Sequence, residues 1–170
     1  QSSDRVRETV FNWLQALVPA EDCLDLYAGS GACGLEALSR GARSATFVDA
    51  ARVAIDTIRQ HLATLEAAPG FEGRYQLDNA RAEQWLVTQT AAAQGIRFGL
   101  VFLDPPFADK VLVAQCRALE QSGLLKPVSH IYVESGDPLP APGITEQFPE
   151  NWQLTKSGRA GAVHFGLYRR

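Results

Sequence analysis

An acceptor-rich stretch interrupts the chain at LVFLDPPFAD, residues 100–109. An apolar run of the kind that fills a buried strand ends on a carboxylate, Asp104, and is followed by Pro105, Pro106 and Phe107. Each proline has lost its backbone N–H and kept its carbonyl, with φ held at about −65°. A loop built this way accepts hydrogen bonds and donates few. It suits an amino group whose lone pair is delocalised into an aromatic ring, as on a nucleobase. Asp104 can accept one N–H and the Pro105 carbonyl the other, drawing the nitrogen towards tetrahedral geometry while a reaction partner is held in line. Phe107 offers a face on which an extracted base can stack, a contact worth about 1–3 kcal/mol. A strand-terminating turn would explain one proline but neither Asp104 nor Phe107.

Upstream, DLYAGSGACGLEA (residues 25–37) sets Gly29, Gly31 and Gly34 in G-x-G-x-x-G spacing between a strand-like and a helix-like run. Glycines there allow a tight turn and close backbone approach to a nucleotide-like ligand. Asp49 stands twenty residues beyond Gly29, where an acid accepts hydrogen bonds from a ribose diol. To this point a dinucleotide dehydrogenase fits equally well. Asp25 separates the readings, because a carboxylate repels a pyrophosphate and attracts a ligand with a cationic amino acid end. S-adenosylmethionine (SAM) carries adenosine, an ammonium and a sulfonium, and no phosphate. Asp25, Gly29, Gly31 and Asp49 are therefore the expected cofactor-binding residues. In LDNA, residues 77–80, Asp78 and Asn79 are expected at the adenine edge, with an ordinary helix N-cap as the structural alternative.

These residues need elements to hold them. DRVRETVFNWLQAL, residues 4–17, has apolar positions near helical spacing and Asp4 as a candidate N-cap. Strand-like runs then alternate with helical ones: CLDLYA with GLEALSR, SATFVD with ARVAIDTIRQHLATL, GRYQLD with ARAEQWLVTQTAA, RFGLVFLD with DKVLVAQCRALEQ, and finally HIYVES. The pattern predicts βαβ units and a mostly parallel sheet covered by helices. A Pro- and Gly-rich segment follows, and WQLTKS and AVHFGLYRR flank GRAG as a terminal antiparallel hairpin. Ligands of such sheets sit beyond the carboxyl ends of the strands. Each of the first four strands ends at or beside an acid, which makes those ends the place to look.

Composition narrows the class. With 170 residues and 46% hydrophobic content, one domain with a real core is expected. No apolar run is long enough for a membrane span and no secretory signal opens the chain, so a soluble cytoplasmic protein is expected. Cys23, Cys33 and Cys116 form no C-x-x-C pair, which favours reduced thiols and implies no metal. The chain lacks methionine and opens on Gln1, from which a missing upstream segment is expected. The net charge is −3. Residues 151–170 hold Lys156, Arg159, Arg169 and Arg170 without an acid, so subtracting +4 from −3 leaves −7 on residues 1–150. A basic C-terminal face is possible, with a solvated edge as the plain alternative.

DPPF after a DLYAGSG loop resembles the amino-methyltransferases that modify exocyclic nitrogens of bases. More narrowly, DRVRETVFNWL, CLDLYAGSGACGLEALSRGA, DPPF and IYVES are similar to the bacterial 16S rRNA (guanine 966 N2)-methyltransferase family, usually called RsmD. The resemblance implies a Rossmann-like seven-stranded SAM-dependent methyltransferase fold, α/β, mostly parallel with a C-terminal antiparallel hairpin and helices on both faces. It implies an enzyme using SAM to methylate a guanine of 16S rRNA in an assembling small-subunit particle; a monomer is expected. Asp104, Pro105, Pro106 and Phe107 would form the catalytic loop. Phe107, with Lys156 and Arg159 at the SGRAG tip, would meet RNA. The helix from Asp4 to Phe11 would close over the methionine end of SAM. Family members carry a basic glycine-containing stretch before that helix, where Gln1, Ser2 and Ser3 stand here. Other readings of the same residues are a DNA adenine-N6 or cytosine-N4 methylase, a non-catalytic SAM-binding assembly module and, more distantly, the dehydrogenase.

Overall fold

Runs that are apolar on both sides need cover on both sides, and the central strands show it. The computed structural model describes residues 3–92, 97–106, 108–139 and 148–170. Its strands are β1 (Asp22–Leu26), β2 (Ser44–Asp49), β3 (Arg74–Asn79), β4 (Phe98–Leu103), β5 (Leu125–Ser135), β6 (Gln153–Ala160) and β7 (Val163–Arg169). They form one seven-stranded sheet in the order β3-β2-β1-β4-β5-β7-β6. The first five pair in parallel, while β7 runs antiparallel to both β5 and β6. Every residue of β4 is buried, as expected of a central parallel strand packed on two faces.

The helices are α1 (Asp4–Trp13), α2 (Ala32–Ser39), α3 (Arg52–Glu66), α4 (Ala82–Ala92) and α5 (Ala108–Gln121). One core joins Trp85 and Leu86 of α4 and Leu112, Cys116 and Leu119 of α5 to Val101 and Leu103 of the sheet. The other joins Val6, Val10 and Phe11 of α1, Leu38 of α2 and Ile58 and Leu62 of α3 to Phe47, Phe102 and Tyr132. The expected two-faced architecture is thus observed. Among the described residues, no helix is long and apolar enough to cross a membrane.

Two ends differ from the sequence expectation. Ser3, not Asp4, caps α1: its backbone is extended and its Oγ accepts the Val6 N–H at 3.3 Å. Asp4 occupies the first helical turn, where a negative charge is favourable, and pairs with Arg7 at 2.6 Å. The helix stops at Trp13, with Leu14 as its C-cap, instead of running to Leu17. The following turns still bury Leu14 and Val18. At the other end β6 extends through Ala160, so the hairpin turns at Gly161 and Ala162 and Lys156 stands within the strand rather than at the tip.

Arg170 is not part of a free basic face. Its guanidinium grips both oxygens of Glu120 at 2.6 and 2.9 Å and donates to the Lys126 carbonyl at 3.1 Å. Glu120 also accepts the Trp152 Nε1–H at 2.7 Å.

Candidate active site

The sheet order reverses between β1 and β4, since the chain proceeds to β2 and β3 on one side of β1 and to β4 and β5 on the other. Loops diverge at such a point and leave a crevice beyond the strand ends. A cleft of about 530 Å³ lies there, within the range of about 300–1,000 Å³ usual for small-molecule sites. Its lining includes Val48 and Asp49 at the end of β2 with Ala50 after it, Asp25 near the end of β1 with the Tyr27–Ser30 loop after it, Asp104 and Pro106 after β4, and Glu134 near the end of β5.

The glycine loop is shaped by left-handed backbone. Gly29 has φ of 57° and Gly31 of 77°, and Tyr27, which has a side chain, also sits at 57°. A non-glycine residue there costs on the order of 1 kcal/mol. The Tyr27 hydroxyl donates to Glu83 Oε1 at 2.9 Å, fastening the strained loop to the start of α4. Asp49 holds the loop from the other side, accepting from the Gly29 N–H through Oδ2 and the Ala51 N–H through Oδ1, both at 2.8 Å. A carboxylate offers about four acceptor positions, so these two bonds orient Asp49 without exhausting it.

The glycines divide their work. Gly29 lines the cleft, whereas Gly31 and Gly34 do not. A Cβ on Gly31 would lie 2.7 Å from Ile58 Cγ1, and one on Gly34 would lie 2.4 Å from Phe47 Cε2. These two positions let α2 press against α3 and the sheet. Gly34 also donates its N–H to Asp25 Oδ2 at 2.9 Å. Asp25 is buried, and burial pushes its carboxyl up to about 8, with the charges of Asp104 and Asp49 adding to that and the Gly34 N–H opposing it. An ionised Asp25 therefore needs a cation beside it.

At the far end, Asp104 follows directly on β4. Burial, reinforced by the charge of Glu134, pushes it up to about 6. Pro106 is exposed at the cleft, while Pro105 is buried and absent from its lining. Phe107 lies outside the described residues. Glu134 is buried at the end of β5 and accepts the Tyr132 hydroxyl at 2.7 Å. Arg7 brings a guanidinium into the cleft from α1.

Asp78 and Asn79 do not reach the cleft. Asp78 Oδ2 accepts from Trp85 Nε1 at 2.7 Å and Gln76 Nε2 at 2.8 Å, and Asn79 Nδ2 donates to the Asp49 and Ala50 carbonyls at 3.1 and 3.0 Å. Their side chains join β3, the loop after β2 and α4 through Asp78 Oδ2 and Asn79 Nδ2. Ala50, Arg81 and Ala82 line that end instead. Lys156 and Arg159 are exposed on β6 away from the cleft, with Arg159 Nε donating to the Gly161 carbonyl at 2.9 Å.

The charge of the cleft is decisive about ligand class. Asp49, Glu83, Asp104 and Glu134 face Arg7 and Arg81, four carboxylates against two guanidiniums, with Asp25 ready to add a fifth beside a cation. A pyrophosphate would meet net repulsion, while a ligand with an ammonium and a sulfonium would not.

The model of the family described as "Conserved hypothetical protein 95" matches residues 2–169. The chain belongs to this family. It is 40% identical over 169 residues to Ribosomal RNA small subunit methyltransferase D of Escherichia coli K12, covering 99% of this chain and 78% of that relative. The solved structure of yhhF from Escherichia coli superposes with a TM-score of 0.83 at 39% identity, covering 100% of this chain and 88% of that one. SMU.776, solved with SAH, superposes with a TM-score of 0.70, covering 96% of this chain and 49% of that one; at 14% identity the likeness is one of fold. The family resemblance and the seven-stranded fold read from the sequence are both borne out.

Arg7, Tyr27, Arg81, Glu83, Tyr132 and Glu134 line the cleft without having been singled out from the sequence. For Glu134 a signal existed. IYVES ends a buried strand on an acid just as the four preceding strands do, and the same rule extended to the fifth strand finds it.

Proposed function

We propose that this chain transfers the methyl group of SAM to the exocyclic N2 amino group of guanine 966 in 16S rRNA, within an assembling small ribosomal subunit. The observation that carries the reading is Asp104 at the end of β4, facing an acid-lined cleft beside the glycine loop. The relative named for small-subunit rRNA methylation supports rRNA as the substrate, and the SAH-bound fold relative supports the cofactor.

The residues present fit SAM. Asp49, held by two backbone N–H groups, retains acceptor positions for a ribose diol. Val48, Ala50 and Ala82 supply apolar surface against a purine. The buried Asp25 is ready to ionise against an ammonium, and Arg7 supplies a cation for a carboxylate. SAM, when bound, supplies an electrophilic methyl group on a sulfonium. Asp104 accepts one hydrogen of the target amino group and orients its lone pair; the Pro105 carbonyl is proposed from the sequence alone as the partner for the second. As the nitrogen gains a fourth bond, its proton becomes acidic and passes to Asp104 or to water. Phe107 is proposed from the sequence to stack on the base, and Lys156 and Arg159 to hold RNA phosphates.

A labelled-methyl assay offering small-subunit particles, naked rRNA and DNA tests this. Transfer to the particles is expected. Transfer confined to DNA would instead support a DNA amino-methylase. An Asp104→Ala protein that binds SAM yet has lost transfer is expected; full transfer by that variant would reduce DPPF to a turn.

A further inference from the structure

Asp104 handles the amino group, but amino groups also occur on adenine and cytosine, so base choice needs another contact. The register Leu103↔Val133 between β4 and β5 sets Asp104, just past β4, level with Glu134, near the end of β5, each one residue beyond that pair. Paired parallel strands run about 4.8 Å apart. Side chains alternate along strands, so Asp104 shares a face with Phe102, and Glu134 shares one with Tyr132. The Phe102 and Tyr132 rings pack on one another with centroids 6.3 Å apart, which puts both carboxylates on that same face. Both line the cleft. Glu134 is 4% exposed, and the Tyr132 hydroxyl fixes its carboxylate at 2.7 Å.

We infer that Glu134 determines base specificity by accepting the N1–H of the target guanine while Asp104 accepts from its N2 amino group. The inference rests on the reading of the substrate as a guanine. Guanine carries two adjacent donors, N1–H and N2–H, on its Watson–Crick edge, the edge by which extruded bases are read. Two level carboxylates match that pair. Adenine and cytosine turn an acceptor, N1 or N3, towards the same position, where it would oppose the Glu134 carboxylate. A buried carboxylate facing a lone pair disfavours binding far more than a missing contact does. The proximity of the two acids is visible in Asp104, whose carboxyl is pushed up by burial and then by Glu134; two donors from one base relieve both.

The test uses 2-aminopurine, which keeps the amino group and replaces N1–H with an acceptor. Small-subunit particles carrying guanine or 2-aminopurine at the target position are offered to the unsubstituted protein, Glu134→Gln and Tyr132→Phe. The unsubstituted protein is expected to favour guanine by about 10- to 100-fold in kcat/KM. Glu134→Gln, whose amide can donate to N1, is expected to bring that preference below about threefold while SAM affinity falls by less than about tenfold. Tyr132→Phe, which keeps the packing and removes the hydroxyl that Glu134 accepts, is expected to narrow it partly, and it carries the test if Glu134→Gln fails to fold. Equal rates on both bases with the unsubstituted protein would overturn the inference alone, as would a Glu134→Gln preference unchanged beside SAM binding weakened tenfold or more. No transfer to guanine by the unsubstituted protein would sink the functional reading, and the inference with it.

Discussion

Replacing Asp25 with asparagine isolates the energetics of one buried acid. The side chain is 4% exposed, and Oδ2 accepts the Gly34 N–H; an asparagine oxygen can keep that bond in the same space. Below about pH 4 the carboxyl is neutral in both folded and unfolded chains, and variant and parent should be about equally stable. Between the ordinary value of 3.8 and about 8 in the folded chain, the unfolded chain has lost the proton and the folded one retains it. Stability therefore falls as pH rises through this window, by about 1.4 kcal/mol per pH unit. Over the whole window this amounts to roughly 6 kcal/mol. Asp25→Asn should accordingly be several kcal/mol more stable than the parent at pH 8 without ligand, and no more stable at pH 4. Urea unfolding at pH 4, 6 and 8 measures the difference, and titrating groups common to both proteins cancel. With SAM the order should reverse in function: the parent releases a proton on binding, while the variant binds about tenfold more weakly and releases none. Calorimetry in two buffers of different ionisation enthalpy reads this. Identical pH dependence in parent and variant would refute the reasoning.

Gly34→Ala forces a methyl group against the enclosed Phe47 ring and should lower stability by about 1–3 kcal/mol. Gly161→Ala, at φ of 59° but with open space around it, should cost about 1 kcal/mol; thermal unfolding ranks the two. Methyl transfer should rise with pH through about 6 as Asp104 ionises and level off above, and Asp104→Asn should flatten and depress that profile in single-turnover kinetics. Removing Lys156 and Arg159 together should weaken particle binding and reduce its logarithmic salt slope by about 0.7–0.9 per lost phosphate contact, with SAM affinity unchanged; a filter-binding salt series measures this.

The fold was largely legible because long-range order followed from local alternation. Strands that end on acids and are followed by helical periodicity leave few topologies, and the reversal between β1 and β4 then locates the crevice. Asp25, Gly29, Asp49 and Asp104 reached it because strand ends map directly onto the site. Asp78 and Asn79 satisfied the same rule, yet Trp85 and the backbone around Asp49 and Ala50 engage their side chains. Nothing local in LDNA encodes those partners, which come from α4 and the loop after β2. Tyr27, Glu83 and Arg7 were illegible for a related reason, since their place at the cleft depends on a strained turn and on where α1 and α4 pack. Arg170 belonged to a run of basic residues in sequence, but its clamp on Glu120 depends on a partner 50 positions away.

Nucleoside mass mapping of small-subunit rRNA tests the central claim most directly. Particles from cells lacking the protein, incubated with the purified chain and isotopically labelled SAM, should gain one labelled N2-methylguanosine, mapped to guanine 966. Label absent from rRNA, or appearing on adenine or cytosine with guanine 966 unmodified, would contradict the account.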